Sequence, residues 1–223
     1  MKRMADLVMS ICGLLVLAPV FLMVAAMIKH DSAGPVFFRQ ERIGKGFRPF
    51  RIYKFRTMVQ DAARRGGLLT ATGDPRVTTV GTFLRRTKLD ELPQLINVLK
   101  GDMSVVGPRP EVRQYVEMFR SEYETILTIR PGLTDLASLK YRDESVLLAG
   151  SDDPEERYVR DILPDKLALA RQYMRRSSLG FDLLLILRTL WRLFPGGAAE
   201  ATDLPKGSPS AEAATTHRFR HHL

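Results

Sequence analysis

An uncharged apolar stretch near the amino terminus constrains the fold of this chain more than any other feature. No residue between Leu7 and Ile28 carries a charge, and Ser10 is the clearest polar side chain there. As a helix, these 22 residues would be about 33 Å long, which is enough to cross a hydrocarbon core of about 30 Å. The stretch is too long for the apolar part of a cleaved signal peptide. It therefore predicts a helix embedded in a membrane.

Pro19 lies near the middle of this stretch, and both flanks are basic. A proline removes one backbone donor and clashes with the preceding turn, so we expect the helix to kink or break there. Lys2 and Arg3 precede the stretch and Lys29 follows it. Basic flanks are retained on the cytoplasmic side, which fits a re-entrant hairpin, whereas a broken helix in lipid leaves backbone groups without partners. On these grounds the re-entrant and the spanning arrangement remain equally open.

The ionisable residues restrict the chemistry of the rest of the chain. Lys and Arg number 34 and Asp and Glu 25, a formal charge of +9, which calls for an anionic partner such as nucleic acid, an acidic membrane or a phosphorylated substrate. The single cysteine, Cys12, excludes an intrachain disulfide and a cysteine-based zinc site. Three of the four histidines lie in the last seven residues, so catalysis in the body would depend on carboxylates, Arg, Lys and hydroxyl groups.

A basic hairpin is predicted directly after the apolar stretch. Residues 35–44 and 47–58 have the composition of two short strands, and Gly44-Lys45-Gly46 has that of a turn. Seven basic residues lie in this region: Arg39, Arg42, Lys45, Arg48, Arg51, Lys54 and Arg56. The hairpin could be a solvated surface or a nucleic-acid surface, but its position beside the membrane favours contact with headgroups or phosphate.

Residues 89–101 predict a helix that begins with two acids. Its apolar residues recur at helical spacing, Lys100 suits its last turn and Gly101 ends it. In one interpretation Asp90 is the helix N-cap. In the other, Asp90 and Glu91 are a carboxylate pair at a positive helix end that binds Mg²⁺ with a phosphate, or attacks phosphorus.

The second half of the chain contains one stiff loop and several predicted helices. Arg109 lies between two prolines in Gly107-Pro-Arg-Pro110, a setting that suits phosphate recognition by a rigidly held guanidinium. Helices are predicted over 111–129 and 164–176, and residues 179–194 suit an amphipathic helix lying in the membrane interface. Residues 196–223 lack apolar periodicity and predict a disordered tail.

Taken in order, these motifs resemble those of the bacterial sugar transferase family, the monotopic phosphoglycosyltransferases that begin glycan assembly on a polyprenyl phosphate carrier. The resemblance covers about residues 2 to 194. Its matching segments are KRMADL at 2–7, the apolar stretch with Pro19, GPVFFRQERIG at 34–44, YKFRTM at 53–58, DPRVTTVGTFLRRTKLDELPQLINVLKGDMSVVGPRP at 74–110 and RPGLT at 130–134.

The resemblance implies a mainly helical α+β fold with a small β-hairpin and interfacial amphipathic helices. It implies a re-entrant membrane helix over 1–30, broken at Pro19, and a catalytic domain over 31–195 on the cytoplasmic face of the bacterial inner membrane. The disordered tail over 196–223 lies outside it. It further implies that a nucleoside diphosphate sugar and polyprenyl phosphate are the substrates and that nucleic acid is not a partner. A homodimer and the identity of the sugar are left open.

The resemblance also implies the chemistry. Asp90 of the Asp90-Glu91 pair would attack the β-phosphate of a UDP-sugar, expel UMP and carry the phosphosugar, which polyprenyl phosphate would then accept. Mg²⁺ would be required, with Asp90 as its protein ligand. Arg85 and Arg109 would lie near the phosphates and Lys54 and Arg56 at the edge of the site. Arg142 would be a further phosphate ligand, because it falls where the family often has the Arg of an Asn-Gly-Arg sequence.

The sequence departs from the family pattern in three places. Ala18 precedes Pro19 where the family often has Ser, the segment DLASLKYRDES follows RPGLT, and Ala170 stands where the family often has Asp. Two other functions therefore stay in view. A membrane-anchored binding module would not need Asp90, and an ordinary glycosyltransferase would release a nucleoside diphosphate, although the sequence has no Asp-x-Asp metal motif.

Overall fold

The computed structural model describes residues 1–67, 69–70, 72–149 and 153–193 of the chain. The helices are α1 (Lys2–Asp31), α2 (Ala62–Arg65), α3 (Thr79–Thr87), α4 (Gln94–Lys100), α5 (Arg113–Met118), α6 (Arg120–Ile126), α7 (Leu136–Lys140), α8 (Glu144–Ala149), α9 (Pro154–Arg157), α10 (Leu163–Arg176) and α11 (Leu179–Leu193). The strands are β1 (Phe37–Ile43), β2 (Pro49–Phe55), β3 (Ser104–Val106) and β4 (Gly132–Thr134). The mainly helical fold is confirmed. The predicted tail, 196–223, lies outside the described residues.

Helix α1 continues through Pro19, so the predicted break at that residue is not shown. Among the described residues it is the one helix long and apolar enough to cross a membrane. Its buried residues are near its two ends, namely Asp6 and Ser10 at one end and Val24 and Ile28 at the other. Between them the helix presents exposed apolar side chains, as an element facing lipid would.

The predicted hairpin is confirmed. Strands β1 and β2 pair antiparallel, with Phe37 opposite Phe55. The connection includes Gly46 at φ 64°, a left-handed conformation that glycine adopts without a side-chain clash. Phe55 is buried between the second half of α1 and α3, where it packs in one cluster with Ile28 and Leu84. The hairpin is therefore fixed against both helix α1 and helix α3, which precedes the two acids.

The acidic start of the predicted 89–101 helix differs from expectation. Leu89–Glu91 is a separate 3-10 turn, and α4 begins only at Gln94 with Pro93 as its N-cap residue. Asp90 makes no capping hydrogen bond, so the N-cap interpretation is wrong. The expected single helix over 111–129 is also divided, because Phe119 has φ −116° and ψ 42° between α5 and α6.

Two short parallel strands, which the sequence did not predict, bring the two proline-rich loops together. Ser104 of β3 pairs with Gly132 of β4. A Cβ on Gly132 would lie 2.0 Å from the backbone nitrogen of Gly107, so only glycine permits the two backbone segments to approach this closely. The Gly132 N–H donates to the Pro108 carbonyl at 2.9 Å, which fixes the loop that holds Arg109.

Helix α11 has the predicted amphipathic character. Leu185 is fully buried against the domain, while Leu183, Leu187 and Trp191 are 55%, 55% and 61% exposed. An exposed leucine and tryptophan face on a helix that packs by its other side is typical of an element lying at a membrane interface.

Candidate active site

Asp90 lies in the 3-10 turn between α3 and α4 and is only 7% exposed. Its Oδ1 atom is buried and has no hydrogen-bond partner among the described residues. A buried carboxylate oxygen without a donor is costly, and such atoms persist in folded proteins mainly where a ligand or a reaction uses them. Asp90 is therefore the acid in this region that is left available for chemistry.

Glu91, its neighbour, is fully engaged. Lys54 Nζ lies 2.8 Å from Glu91 Oε1. Arg109 reaches the same carboxylate with both terminal nitrogens, Nη1 donating to Oε2 at 3.1 Å and Nη2 donating to Oε1. This two-pronged pairing is the strongest geometry available to an Arg and a carboxylate. The structure thus brings together four predicted site residues, and it uses Lys54 and Arg109 to hold Glu91.

The two acids have opposite electrostatic character. Burial raises the pKa of the Asp90 carboxyl, and the charge of Lys54 opposes that shift only in part. Burial would also raise the pKa of Glu91, but the charges of Arg109 and Lys54 outweigh it and hold that pKa well below its usual range. Glu91 is therefore a permanent anion that organises its partners, whereas negative charge on Asp90 is stabilised only when further positive charge is near.

Backbone contacts position the two cations that hold Glu91. The Arg109 N–H donates to Asp135 Oδ2 at 3.2 Å, which adds to the two prolines in fixing that loop. The buried amide of Asn97 accepts from the Tyr53 N–H at 2.9 Å and donates to the Arg51 carbonyl at 2.8 Å. Asn97 therefore ties α4 to the strand segment that carries Lys54.

Arg85 and Lys88 complete the basic surroundings. Arg85 Nε donates to Thr57 Oγ1 at 2.8 Å. Burial lowers the pKa of Arg85 and the pKa of Lys88, and the charges of both residues interact with those of Asp90 and Glu91. Lys88 was not among the predicted ligands. Its backbone is left-handed, with φ 59°, which is uncommon for a residue other than glycine and is enriched at functional sites. The sequence alone does not predict this conformation.

Two further predicted phosphate ligands, Arg56 and Arg142, make backbone hydrogen bonds away from the two acids. Arg56 is buried, and its terminal nitrogens donate to the carbonyl groups of Ser32 and Ala33, so it links the hairpin to the end of α1. Arg142 donates to the backbone carbonyl of Arg192 at the end of α11. Neither guanidinium contacts Asp90 or Glu91 in the part of the chain that is described.

The donor set around Asp90 fits a magnesium ion held partly by substrate. Within the described residues no group of three His, Cys, Asp or Glu side chains could form a closed metal site. Mg²⁺ needs none, because it is usually bound through one or two carboxylates together with substrate phosphates and waters. The buried Oδ1 of Asp90, which has no partner within the described residues, remains free to act as such a ligand.

Comparisons with known proteins identify the family of this chain. Residues 1–196 match the model of the family described as bacterial sugar transferase. A UDP-N-acetylgalactosamine-undecaprenyl-phosphate N-acetylgalactosaminephosphotransferase of Aeromonas hydrophila is 37% identical over 89% of this chain and 44% of its own length. A UDP-glucose:undecaprenyl-phosphate glucose-1-phosphate transferase of Escherichia coli (strain K12) is 37% identical over 89% of the chain and 41% of its own.

A shorter relative matches over most of its length. The exopolysaccharide production protein PSS of Rhizobium leguminosarum bv. phaseoli is 46% identical over 85% of this chain and 93% of its own length. The chain spans less than half of the Aeromonas and Escherichia proteins. Since the family model covers nearly all of the described residues, the chain belongs to the bacterial sugar transferase family.

Proposed function

We propose that this protein transfers a phosphosugar from a nucleoside diphosphate sugar to polyprenyl phosphate through a covalent intermediate on Asp90. The observation that carries the proposal is the buried Asp90 Oδ1 without a partner, beside a Glu91 that two cations hold. Such a carboxylate is a nucleophile that needs no general base, which agrees with a body almost free of histidine. The relatives named for UDP-sugars and undecaprenyl phosphate indicate the substrate classes.

The first step forms one bond and breaks one. An Asp90 oxygen attacks the β-phosphorus, and the bond from that phosphorus to the bridging oxygen breaks. The electron pair leaves with the α-phosphate of the nucleoside monophosphate, so no proton has to move. In the second step an oxygen of polyprenyl phosphate attacks the same phosphorus, the bond to Asp90 breaks, and the carboxylate is restored.

The residues of the site would support both steps by neutralising charge. In-line attack on a diphosphate depends on positive groups that stabilise the reacting oxygens. Asp90 would hold Mg²⁺, which would supply further neutralisation of the phosphate oxygens when bound. Arg109 and Lys54, positioned by Glu91, form the fixed basic wall of the site.

The membrane arrangement we propose has both ends of α1 on one face. At the start of the helix, Lys2 Nζ lies 2.6 Å from Asp182 Oδ2, and Asp6 accepts from Ser104 Oγ at 2.9 Å. At its end, Asp31 Oδ2 accepts from the Val80 N–H at 3.2 Å. A domain on one side of a bilayer cannot contact both ends of a spanning helix. A proline can bend a helix while it stays helical, which fits re-entry.

The basic flanks of α1 and the exposed apolar surfaces of the chain are consistent with a cytoplasmic placement. The basic residues on both flanks of α1 favour the cytoplasmic side. The exposed leucine face of α11 and the apolar middle of α1 would enter the same leaflet. A lipid phosphate would then meet the catalytic domain at the interface, where the basic hairpin also lies.

Nucleotide release distinguishes this function from the alternatives. The full chain in lipid nanodiscs is incubated with UDP-sugars, polyprenyl phosphate and Mg²⁺, and UMP and UDP are quantified. We expect UMP release that Asp90→Asn abolishes and that the exposed control Asp61→Asn retains. UDP as the product would indicate an ordinary glycosyltransferase. Normal turnover by Asp90→Asn would exclude the nucleophile assignment, and wild-type binding without any turnover would indicate a binding module.

The topology has its own test. In a Cys12→Ser background, single cysteines at Met4, which is 65% exposed, and at the exposed Lys45 are treated with an impermeant thiol reagent in intact cells and in inverted vesicles. We expect both to react only from the cytoplasmic face. Labelling of the two positions from opposite faces would establish a spanning helix.

A further inference from the structure

The charges around the two acids are not shared equally. Lys54 and Arg109 are committed to Glu91. Arg85 Nε donates a hydrogen bond to Thr57, and within the described residues no group accepts one from its terminal nitrogens. Lys88 Nζ likewise has no hydrogen bond or ion pair among the residues that the structure describes. The charge of Asp90, whose Oδ1 has no partner, therefore interacts with those of two cations that form no ion pair within the described residues.

Residue 88 is held in place by its backbone. Lys88 lies between α3 and the 3-10 turn. Its N–H donates to the Arg85 carbonyl at 3.2 Å and its carbonyl accepts from the Glu91 N–H at 3.2 Å. Its left-handed conformation, φ 59° and ψ 14°, is one that glycine or asparagine adopts at lower cost. Lysine is therefore not the residue that the local backbone would favour at this position.

The surroundings of the Lys88 side chain are also unfavourable for a positive charge that has no anionic partner. It is half-buried, and its charge interacts with Glu91, Arg109, Asp90 and Lys54. A partly desolvated ammonium group next to two other cations is stabilised when an anion with several oxygens arrives.

We propose that Lys88 is a substrate-binding residue that, together with Arg85, holds the diphosphate of the sugar donor beside Asp90. This rests on the proposed function, since a diphosphate donor is the anion that such a site would receive. Lys54 and Arg109 pair with Glu91, and Arg85 and Lys88 contact the phosphate oxygens. The ammonium group of Lys88 neutralises the charge that accumulates on the departing α-phosphate, without giving up a proton.

The left-handed backbone provides variants that separate binding from folding. Lys88→Gly and Lys88→Asn suit this conformation better than lysine, so neither should lower the melting temperature. Both remove the ammonium group, so we expect the affinity for UDP to fall roughly tenfold or more relative to the wild type. Lys88→Arg keeps a cation and should recover most of the affinity. Arg86→Gln, a change at an exposed residue of α3 two positions before Lys88, is the matched control.

Two measurements on the full chain in nanodiscs complete the test. Calorimetric titration with UDP reports binding without turnover, and UMP release against donor concentration reports KM and kcat. Weaker UDP binding and a raised KM in Lys88→Gly and Lys88→Asn, with unchanged melting, support the assignment. Wild-type affinity in both variants, or lost melting stability in both, overturns it. If the wild-type chain binds UDP but releases no UMP, the proposed function fails while the titration still decides the role of Lys88.

Discussion

The molecule buries two acidic side chains in opposite ways, at Asp90 and at Glu111. Glu111 accepts from Tyr158 Oη at 2.6 Å, from Arg42 Nη1 at 3.1 Å and from the Val112 N–H at 3.2 Å, so both of its oxygens are satisfied. Asp90 has an oxygen with no partner at all within the described chain. The two are buried to the same extent, 7% exposed in each case. The difference separates a carboxylate that stabilises the fold from the one that we propose as the nucleophile.

The largest effect should come from neutralising the free acid. Asp90→Asn should lower UMP release by about a thousandfold or more, because the nucleophile is lost. The variant should melt at the wild-type temperature or above, since it removes a buried charge that lacks a hydrogen-bond partner. UMP release and thermal unfolding are measured on the same preparation. A large fall in melting temperature would place Asp90 with Glu111 as a structural acid.

Neutralising the satisfied acid should have the reverse effect. Glu111→Gln leaves Arg42 without its ion-pair partner, and breaking a buried pair of this kind costs about 3 kcal/mol. We expect a melting temperature lower by several degrees and a KM for the donor close to that of the wild type. The exposed change Glu117→Gln is the control and should alter neither quantity. Unchanged melting of Glu111→Gln would remove the contrast between the two acids.

The pH dependence of stability sharpens the same comparison. Burial would raise the pKa of Glu111, but Arg42, Lys166 and the Tyr158 hydroxyl outweigh it, so the pKa lies below its usual range. A lowered folded-state pKa means that the contribution is complete above the unfolded value of about 4.3 and is lost as the pH falls through the folded value. The difference in unfolding free energy between wild type and Glu111→Gln should therefore shrink in acid. A difference that stays constant from pH 7 to pH 3 would contradict the assignment.

An intermediate effect is expected where a cation organises the site. Arg109→Lys keeps the charge but loses the two-pronged contact with Glu91, a loss of about ten- to a hundredfold in kcat/KM. Arg113→Lys, on an exposed arginine that pairs with Glu41 at 3.3 Å, is the matched control and should keep full activity. Equal activity of Arg109→Lys and the wild type would show that the geometry of the Glu91 contact is not needed.

The smallest effect on stability concerns a single hydroxyl at the structural acid. Tyr158→Phe removes the 2.6 Å hydrogen bond to Glu111, at a cost of about 1.5 to 3 kcal/mol. Tyr115→Phe is a matched control, because the Tyr115 hydroxyl is buried and has no partner among the described residues. It should be neutral or stabilising. Unfolding in denaturant measures the unfolding free energy of both variants. Equal destabilisation by the two changes would show that the hydrogen bond to Glu111 adds no stability of its own.

The sequence predicted the elements that carry a long or repeated pattern. The paired strands with their glycine turn, the helix near 164–176 and the amphipathic α11 all follow from periodicity and turn residues, and the structure has them. Helix α1 was predicted from length and apolar composition alone. The contact of its first residues with the domain depends on Lys2 and Asp6, whose partners are about a hundred or more residues away in the chain.

The rest of the site depends on tertiary geometry that no local pattern reveals. Strands β3 and β4 are three residues each, too short for an alternating pattern to predict them. The acidic start of the 89–101 segment has the composition of a capped helix, so only the structure shows that Asp90 belongs to a separate 3-10 turn. Composition also cannot tell a basic side chain that faces a substrate from one that, like Arg56, is buried against a backbone carbonyl.

The covalent step at the free acid can be observed directly by mass spectrometry. The full chain is incubated with a UDP-sugar and Mg²⁺ without acceptor, quenched, digested and mapped. We expect a phosphosugar on the peptide that contains Asp90, its loss when polyprenyl phosphate is added, and none in Asp90→Asn, while Glu111→Gln still carries it. A phosphosugar attached to another residue, or UMP release with polyprenyl phosphate and no adduct at any time, would contradict the role of Asp90.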